Sequence, residues 1–192
     1  MARNIVSFVG CDRPTKVHRL TQAIAARLEA EDDVSVTHLD LSHAGPNLFT
    51  VNRKALDRQS ESLISEIEHC DALIVGCPVY QGSYPGLFKH VFDLVHPLAL
   101  RGRPTVLCAV GGGHRHALVV EHHLRPLFGF FEAGTVATGI YACSAELEPD
   151  GLLPPALEAR IDSAVDQMRK QLVQSHQASG IRWKDVELLE QF

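Results

Sequence analysis

The chain has 192 residues, 45% of them hydrophobic and 21% charged, with a formal net charge of −5. That is enough chain, of ordinary globular composition, to bury a substantial core. An acidic balance with no Lys/Arg cluster excludes a basic nucleic-acid footprint, and no apolar run approaches the ~20 residues of a membrane span.

The elements alternate from the start. Asn4–Gly10, within "MARNIVSFVG", reads as a first strand; its apolar run is too short for a secretory leader and lacks a small-residue cleavage site. Val17, Leu20, Ile24 and Leu28 then recur at helical spacing. Asp33–Leu41 alternates as a strand, and Asn52–His69 carries Leu56, Leu63, Ile64 and Ile67 as a helix. "DALIVGCP" is a third strand, and "PGLFKHVFDLVH" a helix with Pro85 suited to its first turn. "PTVLCAVGGG" is a fourth strand, "HALVVEHHLRPLFGFF" a strongly apolar helix, "TVATGIYA" a fifth strand, and "PPALEARIDSAVDQMRKQLVQSH" a closing helix.

Five rounds of strand and helix predict an α/β protein. Its expected form is a flavodoxin-like three-layer sandwich, a five-stranded parallel sheet in the order 2-1-3-4-5 with helices on both faces. One domain is expected over residues 1–176, followed by a tail over 177–192 that is either a short docked helix or an oligomer arm. The five cysteines are odd in number and contain no CxxC pair. A disulfide frame or zinc cluster is therefore not expected, and a reducing cytoplasmic setting is.

In such a sheet, ligands sit beyond the carboxyl ends of the strands where strand order reverses, here between strands 1 and 3. The first loop, "GCDRPTKVHRLT", has Gly10 for a tight turn, Thr15 near the helix start and Arg13, Lys16 and Arg19 nearby. It suits a phosphate cradle at a helix N-terminus, although a capped helix with surface bases fits equally. Neither GxxxxGK[ST] nor GxGxxG is present. The second, "CPVYQGSYPGLFKH", offers Pro78 to fix the backbone and Gly82 and Gly86 for turning, with Ser83 as a helix cap before Pro85. The third, "VGGGHRHA", lets the backbone approach a flat ligand or turn sharply. His114 and His116 form an H-x-H pair, but no HExxH accompanies it, so no metal is expected. No nucleophile elbow or Ser/His/Asp set stands out. A site that works by placing two ligands together, with no catalytic side chain, fits that poverty of acid–base groups.

"PVYQGSYPGLFKHVFDL", "GGGHRHALVVEHHLRPLFGFFEAGTVATGIYA" and the opening G-x-x-R-P-T-K together resemble the NAD(P)H-dependent FMN reductases of two-component monooxygenase systems, in particular the methanesulfonate and alkanesulfonate reductases. The resemblance spans most of the chain and is least clear over 41–61 and the tail. It implies that Arg13, Thr15 and Lys16 hold the FMN phosphate. It implies a ring site of Pro78, Val79, Tyr80, Gln81 and Ser83 with Gly111, Gly112, Gly113 and His114, and NADPH or NADH as reductant. It also implies a partner monooxygenase that takes the reduced FMN, and a homodimer or homotetramer built through the helix around His116–Phe131. Tyr80 is expected in the ring wall, and Tyr84 at a subunit contact or pocket rim. Relatives of this kind have a π-helical turn near the position of His122, and "EHH" offers a place for one. The resemblance departs at Val17, where the family places a second hydroxyl; one phosphate contact is then missing, or comes from His18 or the backbone. Two other readings share these loops: an FMN-bound quinone, azo or chromate reductase, and a flavodoxin-type electron carrier.

Overall fold

Strands β1 (Arg3–Val9), β3 (Ala72–Pro78) and β4 (Pro104–Gly111) are the most apolar segments of the chain, and nearly every residue in them is buried. Apolar residues on both faces demand cover on both faces, so these strands form the centre of a parallel sheet. A computed structural model describes residues 2–30, 33–148 and 152–177. Its sheet runs β2-β1-β3-β4-β5, with β2 (Val34–Asp40) at one edge and β5 (Gly134–Thr135) and β6 (Ile140–Cys143) both paired to β4 at the other. The flavodoxin-like order and the three layers are as expected. No helix among the described residues is long and apolar enough to cross a membrane.

Strand alternation sorts the core into two halves. Val6, Phe8, Leu73, Val75 and Leu107 face α2 (Arg58–His69), α3 (Gly86–Leu94) and α4 (Arg125–Phe130). Ile5, Val9, Ile74, Val106 and Cys108 face α1 (Lys16–Glu29) and α5 (Pro155–Gln177). Helical spacing on α1 and α5 delivers Leu20, Ile24, Ile161, Val165 and Met168 to this second half. All five cysteines are free and buried, and burial pushes the Cys70 thiol up to about 12. The tail expected over 177–192 lies outside the described residues beyond Gln177.

Four local expectations are corrected. Helix α2 starts at Arg58 rather than Asn52, because the Asp57 carboxylate caps it by accepting the Ser60 N–H at 2.8 Å. Residues 53–55 form a separate 3₁₀ turn. Pro85 is the N-cap of α3 rather than a first-turn residue, and Ser83 is not a cap: its Oγ lies 3.0 Å from His123 Nδ1. The single fifth strand is two short pieces, because side chains take the backbone groups between them. Arg125 donates to the Val136 and Ala137 carbonyls, and Gln167 Oε1 accepts the Thr138 N–H. The apolar fourth helix is also interrupted. A π-helical turn, Val120–Leu124, precedes α4, as the resemblance suggested. Val119, Val120, Leu124, Phe128 and Phe131 are buried within the chain, so the excess apolar surface of this segment is Leu118 and Phe130, 61% and 66% exposed.

Arg53 closes the α2 side. Its guanidinium donates to Glu61, to both oxygens of Glu68 and to the Leu94 carbonyl, while Glu68 also accepts the His96 N–H at 2.7 Å. Glu68 is buried, so its charge depends on these donors. Arg53→Met is expected to lower unfolding free energy by about 3–5 kcal/mol in urea titrations, the cost of an uncompensated buried charge. Adding Glu68→Leu should recover much of that loss; no recovery would show that Arg53 acts by packing alone.

Candidate functional site

Parallel pairing sets Val9 beside Gly76, Pro78 beside Val110 and Gly111 beside Cys143. The loops after β1, β3, β4 and β6 therefore leave the sheet at one edge. Backbone bonds tie their first residues together: Gly10 N–H donates to the Gly76 carbonyl at 2.9 Å and Val79 N–H to the Val110 carbonyl at 2.9 Å.

Gly10 does not turn through positive φ; it is required by space. A Cβ there would lie 2.6 Å from Phe88 Cδ2, so α3 packs directly over the exit from β1. The chain then enters α1 with extended Thr15 as N-cap. No acidic residue occupies the first turn of α1, Lys16 opens it and Arg13 precedes it on the surface, which leaves the positive end of the helix dipole uncompensated. Lys16 reaches sideways, donating to the Ser144 carbonyl at 2.7 Å and to Glu148 at 2.8 Å. Val17 is buried against the sheet and points away from the loop surface.

His18 braces this loop from beneath. Thr15 N–H donates to its Nδ1 at 3.1 Å, so the ring proton sits on Nε2, which donates to Asp40 Oδ2 at 3.0 Å. Both ring nitrogens are thus engaged within the chain, which leaves the His18 side chain unsuited to stand in for a hydroxyl at Val17. Asp40 ends β2 and also accepts from Ser42 N–H, at 2.9 Å, and from His43. Burial disfavours its charge, but the hydrogen bonds from Ser42, His18 and His43 outweigh that and hold the carboxyl below the usual aspartate range.

The second loop is a tight two-residue turn. Tyr80 N–H donates to the Ser83 carbonyl at 2.8 Å and Ser83 N–H to the Tyr80 carbonyl at 3.0 Å. Gln81 and Gly82 between them have φ of 49° and 82°, the primed geometry that closes such a turn. Gly86, by contrast, is an ordinary first residue of α3. Pro78 is buried, Val79 half-buried, and Tyr80 stands 50% exposed at the rim. Tyr84 turns the other way, packing on Phe88 with centroids 5.5 Å apart and edge-on to His123 at 6.2 Å.

On the third loop, Gly112 and Gly113 have open space where a Cβ would sit, whereas Gly111 is pressed by the Tyr141 hydroxyl. None of the three glycines has positive φ, so the loop serves close approach and not a sharp turn. Tyr141 OH donates to the Gly113 carbonyl at 2.6 Å and Ser144 Oγ to the Gly111 carbonyl at 3.2 Å, which fixes the loop from the β6 side. His114 and His116 do not act as a pair: His114 Nδ1 lies 3.2 Å from Cys143 Sγ, while His116 Nε2 faces Arg115.

Arg13, Thr15 and Lys16, the turn over residues 78–83, and Gly111–His114 thus border one edge of the sheet. This rim can hold a flat ligand that carries an anionic group: an electropositive helix end lies on one side and two loop backbones border the other. Residue-level reading missed Tyr141, Cys143, Ser144 and Glu146, and it left His18 and Asp40 without their role. The carboxyl-end rule, extended to the fifth strand, points to the first four. The His18–Asp40 pair joins residues 22 apart and has no local signal.

Asp40→Asn is expected to destabilise the protein by about 1.5–3 kcal/mol at pH 7, the worth of bonds to a charged acceptor. Because the folded carboxyl titrates below its unfolded value, its stabilisation is present above ~3.9 and lost as pH falls through the lower folded value. The gap between wild type and variant in urea unfolding should therefore close on acidification; a pH-independent gap would refute this account.

Residues 3–147 match the family model for NADPH-dependent FMN reductase. An FMN reductase (NADPH) of Pseudomonas aeruginosa is 41% identical over 158 residues, covering 82% of this chain and 85% of that protein. An NADH-dependent FMN reductase, SfnF, of Pseudomonas fluorescens is 42% identical over 158 residues, covering 82% and 84%. Among solved structures, an oxidoreductase of Corynebacterium diphtheriae superposes with a TM-score of 0.78 at 29% identity, over 90% of this chain and 98% of that one. An apo NADH:FMN oxidoreductase, at 22% identity and a TM-score of 0.79 over 88% and 89%, shares the fold. With the match spanning both loops of the rim and the N-terminus of α1, the chain belongs to the NADPH-dependent FMN reductase family.

Proposed function

We propose that this family member passes a hydride from NADPH or NADH to N5 of FMN and releases the reduced flavin to a separate flavin-dependent monooxygenase, of the kind that cleaves sulfonates. The observation that carries this reading is the meeting of three features at one sheet edge: the base-flanked N-terminus of α1, the Tyr80–Ser83 turn, and the open backbone of Gly112 and Gly113. The phosphate would rest on the first backbone amides of α1, at Lys16 and Val17, with the Thr15 hydroxyl and Arg13 alongside. Tyr80, Val79 and Pro78 would wall one part of the ring, with Gln81 and Ser83 at its edge, and Gly111, Gly112, Gly113 and His114 would border another.

The bound flavin supplies the electron-accepting ring, and the nicotinamide supplies the hydride. The protein's share is placement: holding two planar groups in contact and aiming backbone N–H groups at the charge that the reduced ring gains. No side chain is needed as a general base. The phosphate loop, with Val17 where a second hydroxyl would stand, suits a flavin that is released as product. A lost charged-group bond weakens holding by about 1.5–3 kcal/mol.

The same reading includes self-association. Leu118 and Phe130 are exposed on the segment around the π-helical turn. Beside them lies a groove of about 450 Å³ lined in part by Tyr84, Phe92, His122, His123 and Leu127. A second copy of this chain would cover that apolar surface.

Purified protein should oxidise NADPH or NADH only when FMN is added, and its steady-state kinetics should show FMN behaving as a substrate. No FMN-dependent oxidation with either nucleotide would overturn the reading. Tyr80→Ala should weaken FMN binding about tenfold, ~1.4 kcal/mol, as expected for an aromatic wall. Unchanged affinity would remove Tyr80 from the ring site. Phe130→Glu should shift the protein to a smaller species in light scattering while the fold, read by circular dichroism, persists.

A further inference from the structure

We infer that His114, Cys143 and Glu146 form a binding site for a soft divalent cation such as Zn²⁺ at the rim of the sheet edge. One ligand atom from each, an imidazole nitrogen, a thiol sulfur and a carboxylate oxygen, lies within 4.8 Å of the others. Cys143 is the last residue of β6 and stands opposite Gly111 in register. The 3₁₀ turn Ser144–Glu146 folds Glu146 back over it, so that Glu146 Oε2 accepts the Cys143 N–H at 2.7 Å. His114 arrives from the glycine loop of the neighbouring strand, with Nδ1 3.2 Å from Cys143 Sγ.

The geometry suits a small tetrahedral ion. Bonds of ~2.3 Å to sulfur and ~2.0–2.1 Å to nitrogen, at a tetrahedral angle, separate the two ligand atoms by about 3.5 Å. The present separation of 3.2 Å needs to open by only a few tenths of an ångström. The donor set favours zinc over magnesium or calcium, because thiolate and imidazole are soft and borderline ligands. Three protein ligands leave the fourth position to water, the pattern of an exchangeable ion rather than a structural one. Access fits this too: His114 is exposed and Glu146 half-buried, while Cys143 supplies the thiol from within. The bonds from Tyr141 OH to the Gly113 carbonyl and from Ser144 Oγ to the Gly111 carbonyl hold the two loops in place around the cluster.

The site lies where FMN is proposed to bind, and the two occupancies are coupled through His114. An ion that takes His114 Nδ1 fixes that ring beside Cys143 and removes it from adjustment to the flavin edge, so cation and FMN each weaken the other by the same factor. This coupling rests on the functional reading above; the cation site does not.

The test uses reduced, FMN-free full-length protein. Titration with Cd²⁺, followed by sulfur-to-metal charge-transfer absorption, should show one thiolate-bound ion per chain, and Zn²⁺ should displace it in competition with a chromophoric chelator. Cys143→Ser should abolish the absorption, and Glu146→Gln and His114→Ala should each weaken Zn²⁺ by at least about tenfold, since even outer-sphere losses cost ~10–100-fold. Absence of binding, or an unchanged band in Cys143→Ser, overturns the site. FMN affinity, read by flavin fluorescence, should fall several-fold in saturating Zn²⁺ for wild type and stay constant for Cys143→Ser. Zn²⁺ binding with unaltered FMN affinity overturns the coupling. Failure of the metal-free wild type to bind FMN would count against the flavin reading and leave the cation result standing.

Discussion

The register of the central parallel strands is the constraint on which the rest depends. β1, β3 and β4 are buried on both faces, so a one-residue slip would exchange one apolar surface for another and meet little penalty from polarity. Volume supplies the penalty instead. At Gly76, opposite Val9, a Cβ would lie 2.6 Å from Thr21 Cγ2 and 2.8 Å from Val17 Cγ1. Sliding β3 by one position would press Val75 or Cys77 into the underside of α1. The close seat of α1 on Gly76 thus locks the strand pairing. It also places Thr15, one turn above, at the same edge as the exits from β3 and β4. Site geometry and core packing are here one requirement.

Above that seat the loop after β1 is held by one half-buried carboxylate. Asp40, at the end of the edge strand β2, accepts from Ser42, His43 and His18, and His18 in turn accepts the Thr15 N–H. One carboxylate therefore organises the loops after both β1 and β2. Its value comes from the number of donors converging on it, which is why burial does not raise its pKa. The division of labour is clear: the half-buried Asp40 and His18 set the loop's shape, and exposed Arg13 remains available to an anion. Lys16 differs. Anchored to Ser144 and Glu148, it joins the α1 end of the rim to the β6 end, so the rim is continuous across the top of β1, β3, β4 and β6.

How much of this could be read from the chain depended on whether the signal was local. The alternation of apolar runs and helical spacing was enough for layers and strand order, because parallel strands buried on both faces have few arrangements. The three loops were legible as well, since glycine and proline mark backbone needs directly. The reasons were less legible. Gly10 reads as a turn residue and is a close contact with Phe88; Gly86 reads as a turning residue and is plain helix. Leu56 fits the periodicity of helix α2 and extends its expected start by six residues, while the Asp57 cap decides the actual one. Contacts between distant segments left no trace at all. The His18–Asp40 brace, the Arg53–Glu68 pair and the His114–Cys143 contact join residues whose separations carry no period.

The break in the fifth strand and the π-helical turn meet at Arg125. Pro126 has no N–H, and its ring excludes the carbonyl four residues back, so a regular α-turn through His122 is disfavoured. The chain widens instead: Arg125 N–H reaches back five residues to the Val120 carbonyl. Widening pushes Val120 and Glu121 towards the sheet, where a Cβ on Gly139 would lie 2.6 Å from Val120 Cγ1 and 2.8 Å from Glu121 Oε1. The side-chain-free Gly139 accepts that approach, and Arg125 takes the Val136 and Ala137 carbonyls while pairing with Glu121. On its outer side the same turn presents His123 to Ser83 and Tyr84. The segment around Pro126 thus touches the sheet edge, the apolar groove and the Tyr80 turn at once.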